Sequence, residues 1–255
     1  MTLPQVVSRD EWLAARLKLL AQEKEAMRAQ DAVTAQRREL PRVRMDKEYV
    51  FEGSAGKARL IDLFEGRRQL LVYHFMWNNS AARARGDQAL DEGCPSCSFT
   101  IDHVGHLEHL HASDTTFVLV SRAPLAEIER FQARMGWTIP WYSSAGSDFN
   151  YDFHVTNDES VAPVEFNYKD KATLERSPKT SFVINGDGQA ISVFVRDEDT
   201  VFHTYTTYGR GTEFMMSTYQ FLDLTPMRRP RYVNQWPYRD TYNGGAGHSH
   251  HAHHC

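Results

Sequence analysis

The segment Leu70-Leu71-Val72-Tyr73-His74-Phe75-Met76-Trp77 is almost continuously apolar over the length of a single strand. A run without polar alternation belongs to a strand covered on both faces, the situation at the centre of a parallel or mixed sheet. Thr116-Phe117-Val118-Leu119-Val120-Ser121 repeats the pattern. A helical stretch from Ser98 to His111 separates the two runs. Pro124 then opens a second helix, with Leu125, Ile128 and Phe131 on one face and Gly136 as its stop. Strand, helix, strand and helix in this order predict an α/β fold, a mixed sheet flanked by helices.

Around this centre the chain is decorated. Ser8 followed by Glu11 forms a capping-box signal, and Leu13, Leu17, Leu20 and Met27 recur at helical spacing, so a long N-terminal helix is expected. Its other faces are charged, which leaves the apolar stripe to pack on the body or on a second copy as a homodimer. Tyr49 to Gly53 and Ala58 to Phe64 read as a short strand or hairpin entering a brief helix. Ile191 to Arg196 and Val201 to Thr206, separated by Asp197-Glu198-Asp199-Thr200, read as a β-hairpin, and Gly211 to Leu224 as a closing helix. The polar stretch Asn78 to Gly93 reads as an insertion. With 255 residues, 41% of them apolar, one decorated domain is expected. The reading is a helical arm over 1–45, a central domain over 46–225, and an irregular, aromatic-rich extension with a His-rich tail over 226–255.

Composition narrows the function. The formal charge of −4 comes from 29 basic and 33 acidic residues spread along the chain, so no basic field for nucleic acid or anionic lipid is implied. No apolar run reaches the length of a membrane span, and the first residues lack the order of a secretory signal. A cytoplasmic protein without a membrane partner is therefore expected. Three cysteines are too few for an extracellular disulfide scaffold. In a reducing compartment a close pair is catalytic, redox-sensing or metal-binding.

Cys94 and Cys97 of Cys-Pro-Ser-Cys are that pair. A spacing of three at a helix start brings two sulfurs within reach of a short disulfide, and Pro95 suits the first helical position. A thiol in the first turn faces unpaired N–H groups and the positive end of the helix dipole, which favour the thiolate. Cys94 is thus expected to be the nucleophile toward a disulfide or peroxide and Cys97 the resolving thiol. The same spacing supplies half of many zinc sites, but no second Cys-x-x-Cys exists and the motif follows a strand. The leading expectation is a dithiol–disulfide oxidoreductase acting on a thiol or disulfide substrate, protein or small molecule, with no required cofactor.

The sequence also resembles a bacterial family of thioredoxin-like proteins regarded as dithiol–disulfide oxidoreductases. The resemblance rests on His74-Phe75-Met76, Glu92-Gly93-Cys94-Pro95-Ser96-Cys97-Ser98-Phe99, Val120 to Leu125, Met135-Gly136-Trp137 with Pro140-Trp141, Ser147 to Asn150, and Val201 to Tyr205. It implies a thioredoxin-like fold close to the peroxiredoxin branch, with Cys94 and Cys97 at the active-site positions. It also implies a cis-proline opposite the dithiol, just before a strand. Gln189-Ala190 stand before the strand here, leaving Pro178 and Pro140 as candidates.

A second reading is a copper- or zinc-binding protein or metalloenzyme on the same fold. His103, His106 and His109 step along the expected helix behind the dithiol, and with Cys94 or Cys97 they make a donor set for copper or zinc. His248, His250, His251, His253, His254 and Cys255 form a compositional chelating tail that reads either as native or as an expression tag. Finally, Trp137, Pro140 and Trp141 are candidates for the wall of a substrate groove, with core packing as the alternative reading.

Overall fold

The computed structural model describes residues 3–77, 91–177 and 180–242. Residues 78–90 of the expected insertion, Pro178 and the His-rich tail lie outside the described residues.

Helix α1 (Arg9–Arg38) starts where the capping box places it. The Glu11 N–H donates to Ser8 Oγ at 3.3 Å and the Ser8 N–H donates back to Glu11 Oε2 at 2.9 Å, so two orphan donors of the first turn are satisfied reciprocally. None of its residues is buried. Of the two expected alternatives, packing on the body is not what the single chain shows, since Leu17 is 55% and Met27 67% exposed. Arg37 over the Tyr205 ring ties the end of the helix to the sheet.

The main sheet has eight strands: β1 (Val43–Arg44), β2 (Val50–Gly53), β3 (Gly56–Arg59), β4 (Gln69–His74), β5 (Thr115–Ser121), β6 (Trp141–Ser143), and the hairpin of β11 (Ala190–Asp197) and β12 (Thr200–Tyr208). Short pairs β7 (Thr156–Asn157) with β10 (Gly186–Asp187), and β8 (Glu165–Phe166) with β9 (Lys169–Asp170), decorate it. The order across the sheet is β1-β12-β11-β4-β5-β6-β2-β3. β4 and β5 are parallel, as are β5 and β6, and β11 is antiparallel to β4. A parallel strand–helix–strand unit with an antiparallel hairpin on the other side of its first strand is the thioredoxin-like arrangement. The buried strands β4 and β5 are therefore the paired centre that their apolar runs require.

Helix α2 (Pro95–Ile101) and helix α4 (Leu125–Met135) follow β4 and β5, with the short helix α3 (Glu108–His111) between them. Side-chain alternation along the central strands builds two cores. Leu70 and Val72 of β4 join Val118, Val120, Phe149 and Phe194 on one face. Tyr73 and Phe75 join Leu119, Ile128, Phe131, Trp141 and both cysteines on the other. The hairpin carries a bulge: Val193 pairs with Tyr205 but Phe194 with His203, leaving Thr204 as the extra residue. The bulge turns His203 and Thr206 to one face, which a strict period of two would forbid.

Candidate active site at the start of helix α2

The ladder of β4 continues past its last residue, since the Phe75 N–H donates to Val120 O at 2.9 Å. The Cys94 N–H then donates to Met76 O at 3.1 Å, so the dithiol is moored directly on the end of the central strand. Cys94 is the N-cap of α2, with extended backbone, and Pro95 is its first residue. The Ser98 N–H closes the first helical bond on Cys94 O at 2.9 Å. Proline suits this position because its missing donor is one that the helix start leaves orphaned in any case. Gly93 is required by crowding. A Cβ there would lie 2.6 Å from Phe75 Cε1 and 2.8 Å from Phe131 Cε1, both on packed rings that cannot swing aside.

Both thiols are reduced and buried, Cys94 at 1% exposure and Cys97 at 0%. Their surroundings differ. Cys94 Sγ lies 3.0 Å from Ser96 Oγ. Cys97 donates to Gln189 Oε1 at 3.9 Å. Burial pushes the Cys97 thiol well above its ordinary range, and the adjacent Cys94 sulfur adds to that, while the Tyr73 hydroxyl and the Met76 backbone oppose it. The Tyr73 hydroxyl is itself fully buried beside Cys97 and Thr100, without a hydrogen bond of regular geometry. Its own pKa is driven far up by burial and by the nearby sulfurs.

The aromatic side chains close the site. Phe75 packs on Trp141 with ring centroids 4.6 Å apart and on Trp137 at 6.0 Å. Trp141, a candidate groove wall, is only 4% exposed, and its indole N–H donates to Ser121 Oγ at 3.0 Å. Trp137 is half-buried and donates to Asp102 Oδ1 at 2.9 Å. Pro140 accepts the Leu119 N–H at 2.9 Å through its carbonyl. These residues pack the core behind Cys94 because the indoles find polar partners there. The cover in front comes from the C-terminal extension. Tyr238 donates to Gly93 O at 2.6 Å, Trp236 stacks on Phe99 at 5.3 Å, and Arg239 pairs with Asp102 at 3.0 Å.

The residue opposite the dithiol is Gln189. Every peptide bond among the described residues is trans, Pro140 included, so Pro140 does not supply the facing cis-proline. In the sequence, Gln189 is marked only by its place just before the β11 strand. Tyr73 carried no signal beyond its place in a buried strand, whereas Ser96 stands within the motif itself.

The histidines do not gather behind the dithiol. The expected single helix from Ser98 to His111 is broken after Ile101 into α2 and α3; Asp102 caps α2 with helical backbone, and its carboxylate accepts from Trp137 and Arg239. His103 turns one ring nitrogen to Phe99 O at 2.5 Å and the other to Thr218 Oγ1 at 2.6 Å. His106 points to solvent, its side chain 93% exposed. Among the described residues no group of three or more His, Cys, Asp or Glu side chains is placed to hold a metal ion. His248, His250, His251, His253, His254 and Cys255 lie outside the described residues.

None of the curated proteins matches the chain. Solved structures similar to it include a cysteine-to-serine mutant of Xanthomonas campestris peroxiredoxin Q, at 12% identity, with a TM-score of 0.42 over 68% of this chain and 90% of that one. Peroxidoxin BcpB from Mycobacterium tuberculosis is similar at 13% identity, with a TM-score of 0.41 over 70% of this chain and 94% of that one. No helix among the described residues is long and apolar enough to cross a membrane. Residues 1–242 match a family described as a bacterial protein of unknown function, DUF899, and the chain belongs to that family.

Proposed function

We propose that the protein is a thiol–disulfide oxidoreductase that cycles Cys94 and Cys97 between dithiol and disulfide. The observation that carries this reading is the unlike setting of two reduced thiols in the first turn of one helix, Cys94 against a hydroxyl at the N-cap and Cys97 sealed one turn in. Cys94, as thiolate, attacks one sulfur of a substrate disulfide, whose S–S bond breaks to release the first half as a thiolate. Cys97 then gives up its proton and its sulfur attacks Cys94 in the mixed disulfide. The bond from Cys94 to the substrate breaks and the second half departs. The two departing thiolates take up two protons, so the substrate is reduced to two thiols while the protein gains a disulfide. A low-molecular-weight or protein dithiol returns the pair to the reduced state.

The test is turnover of dithiodipyridine, a neutral chromogenic disulfide, coupled to a dithiol reductant. Wild-type protein is expected to turn over, Cys94→Ser to be inert, and Cys97→Ser to stop at a Cys94-linked adduct. Equal turnover by all three would refute the reading. A reducing, cytoplasmic compartment suits such a cycle.

A further inference from the structure

The sulfur of Cys97 sits between two side chains that the sequence motif does not include. Gln189 Nε2 donates to Gly209 O at 3.4 Å and to Thr212 Oγ1 at 3.2 Å. A backbone carbonyl can only accept, so the orientation of the amide is settled by its partners. Oε1 therefore faces Cys97, and an oxygen of this kind can only accept the S–H proton; it can neither donate to a thiolate nor carry the proton away. On the strand side stands Tyr73, fully buried, with a hydroxyl that makes no regular hydrogen bond in the reduced protein. A buried polar group without a partner is costly. Its neighbours are the Cys97 sulfur and the Thr100 hydroxyl.

We propose that Gln189 and Tyr73 form a two-part seat that enforces the order of the two thiols, Gln189 holding Cys97 as the resting thiol and Tyr73 donating to its sulfur as the proton leaves. Both are positioning residues for the resolving step, and the inference rests on the dithiol reading above. In the reduced state the Gln189 carbonyl keeps the Cys97 proton in place, so Cys94 alone meets the substrate. Once Cys94 is tied up in a mixed disulfide, the Cys97 proton passes to the thiolate released in the first step. The Tyr73 hydroxyl, without a regular hydrogen bond until then, gains a charged acceptor in the Cys97 thiolate, which then attacks Cys94 and displaces the second half of the substrate. The groups that face Cys97 are Cys94 from the start of α2, Tyr73 from β4, the Met76 backbone at the end of that strand, and neutral Gln189 before β11. The charged states that bear on its titration are those of Cys94 and Tyr73.

The experiment separates the two steps with dithiodipyridine, reading release of the first pyridine thione and then decay of the mixed disulfide by quenched-flow mass spectrometry across pH. Tyr73→Phe removes one unsatisfied hydroxyl from a packed site and keeps the ring. It is expected to slow decay of the mixed disulfide about tenfold or more, the worth of a hydrogen bond to a charged sulfur, and to shift the pH profile of that step upward. Gln189→Glu, which puts a proton-accepting carboxylate beside Cys97, is expected to speed the second step and move its profile to lower pH. The first-step rate serves as the internal control for folding and access. Wild-type decay and unchanged profiles in both variants would overturn the seat while leaving the dithiol intact. Absence of any Cys94 adduct in Cys97→Ser would overturn the dithiol reading and the seat with it.

Discussion

Tyr73 and His74 are consecutive residues of one strand, both fully buried, and they face opposite sides of the sheet. On the far side, polar groups link into a chain that starts at His74 Nε2 and leaves His74 Nδ1 buried without a partner. His74 Nε2 meets Ser192 Oγ at 2.7 Å, Ser192 meets Thr206 at 2.9 Å, and Thr206 meets His203 Nε2 at 2.7 Å. The His74 ring stacks on Phe149 with centroids 5.3 Å apart. On the near side, the Tyr73 hydroxyl lies beside the Cys97 sulfur without a hydrogen bond of regular geometry. Among the described residues each face leaves one buried polar atom without a partner, His74 Nδ1 on one and the Tyr73 hydroxyl on the other, and the contrast is that only the Tyr73 hydroxyl lies beside a sulfur whose protonation changes in the proposed cycle.

The comparison breaks most readily at the dithiol. Cys94→Ser is expected to abolish disulfide turnover in the coupled assay, while His74→Leu, across the sheet, leaves chemistry at Cys94 and lowers stability alone. If His74→Leu also silenced a folded protein, the division between the two faces would fail.

The next effect is one of pH. Burial, aided by the charge of His203, lowers the His74 pKa from 6.5 to about 3. The unfolded chain therefore takes up a proton near pH 6.5 that the folded chain refuses. Stability is complete above that pH and falls as pH drops toward 3, by up to about 1.4 kcal/mol per pH unit for this one group. Urea titrations between pH 7 and 4 are expected to show the decline, and His74→Leu to flatten it. An equal slope in the variant would remove His74 as its source.

Smaller effects probe the packing around the cysteines. Gly93→Ala drives a methyl group into Phe75 and Phe131 and is expected to cost about 1–3 kcal/mol in urea denaturation. Tyr238→Phe deletes the bond to Gly93 O, worth roughly 1 kcal/mol. It is expected to speed alkylation of Cys94 about fivefold if the extension gates access by local opening. Unchanged alkylation would mean that the extension only decorates the site.

Much of the fold was legible in the sequence. The runs that became β4 and β5, the proline that opens the dithiol helix, the Ser8–Glu11 cap and the hairpin of β11 and β12 all follow from local chemistry. What escaped was tertiary in origin. At the break after Ile101 the Asp102 carboxylate bonds Trp137 and Arg239, residues distant in sequence. The bulge at Thr204 depends on pairing across the sheet. At the site, Cys94, Cys97 and Ser96 could be read from the motif. Gln189 and Tyr238 could not, because their roles arise only when β11 and the extension, read as irregular and aromatic-rich, fold against it. The histidine donor set failed for the same reason, since helical spacing means nothing once the helix ends.

The most direct measurement maps the disulfide itself. After mild oxidation and blocking of remaining thiols, proteolysis and mass spectrometry should recover one peptide pair joined through Cys94 and Cys97, lighter by two hydrogens than the reduced form, with Cys255 blocked. Recovery of both Cys94 and Cys97 as blocked thiols from fully folded, oxidised protein would contradict the account.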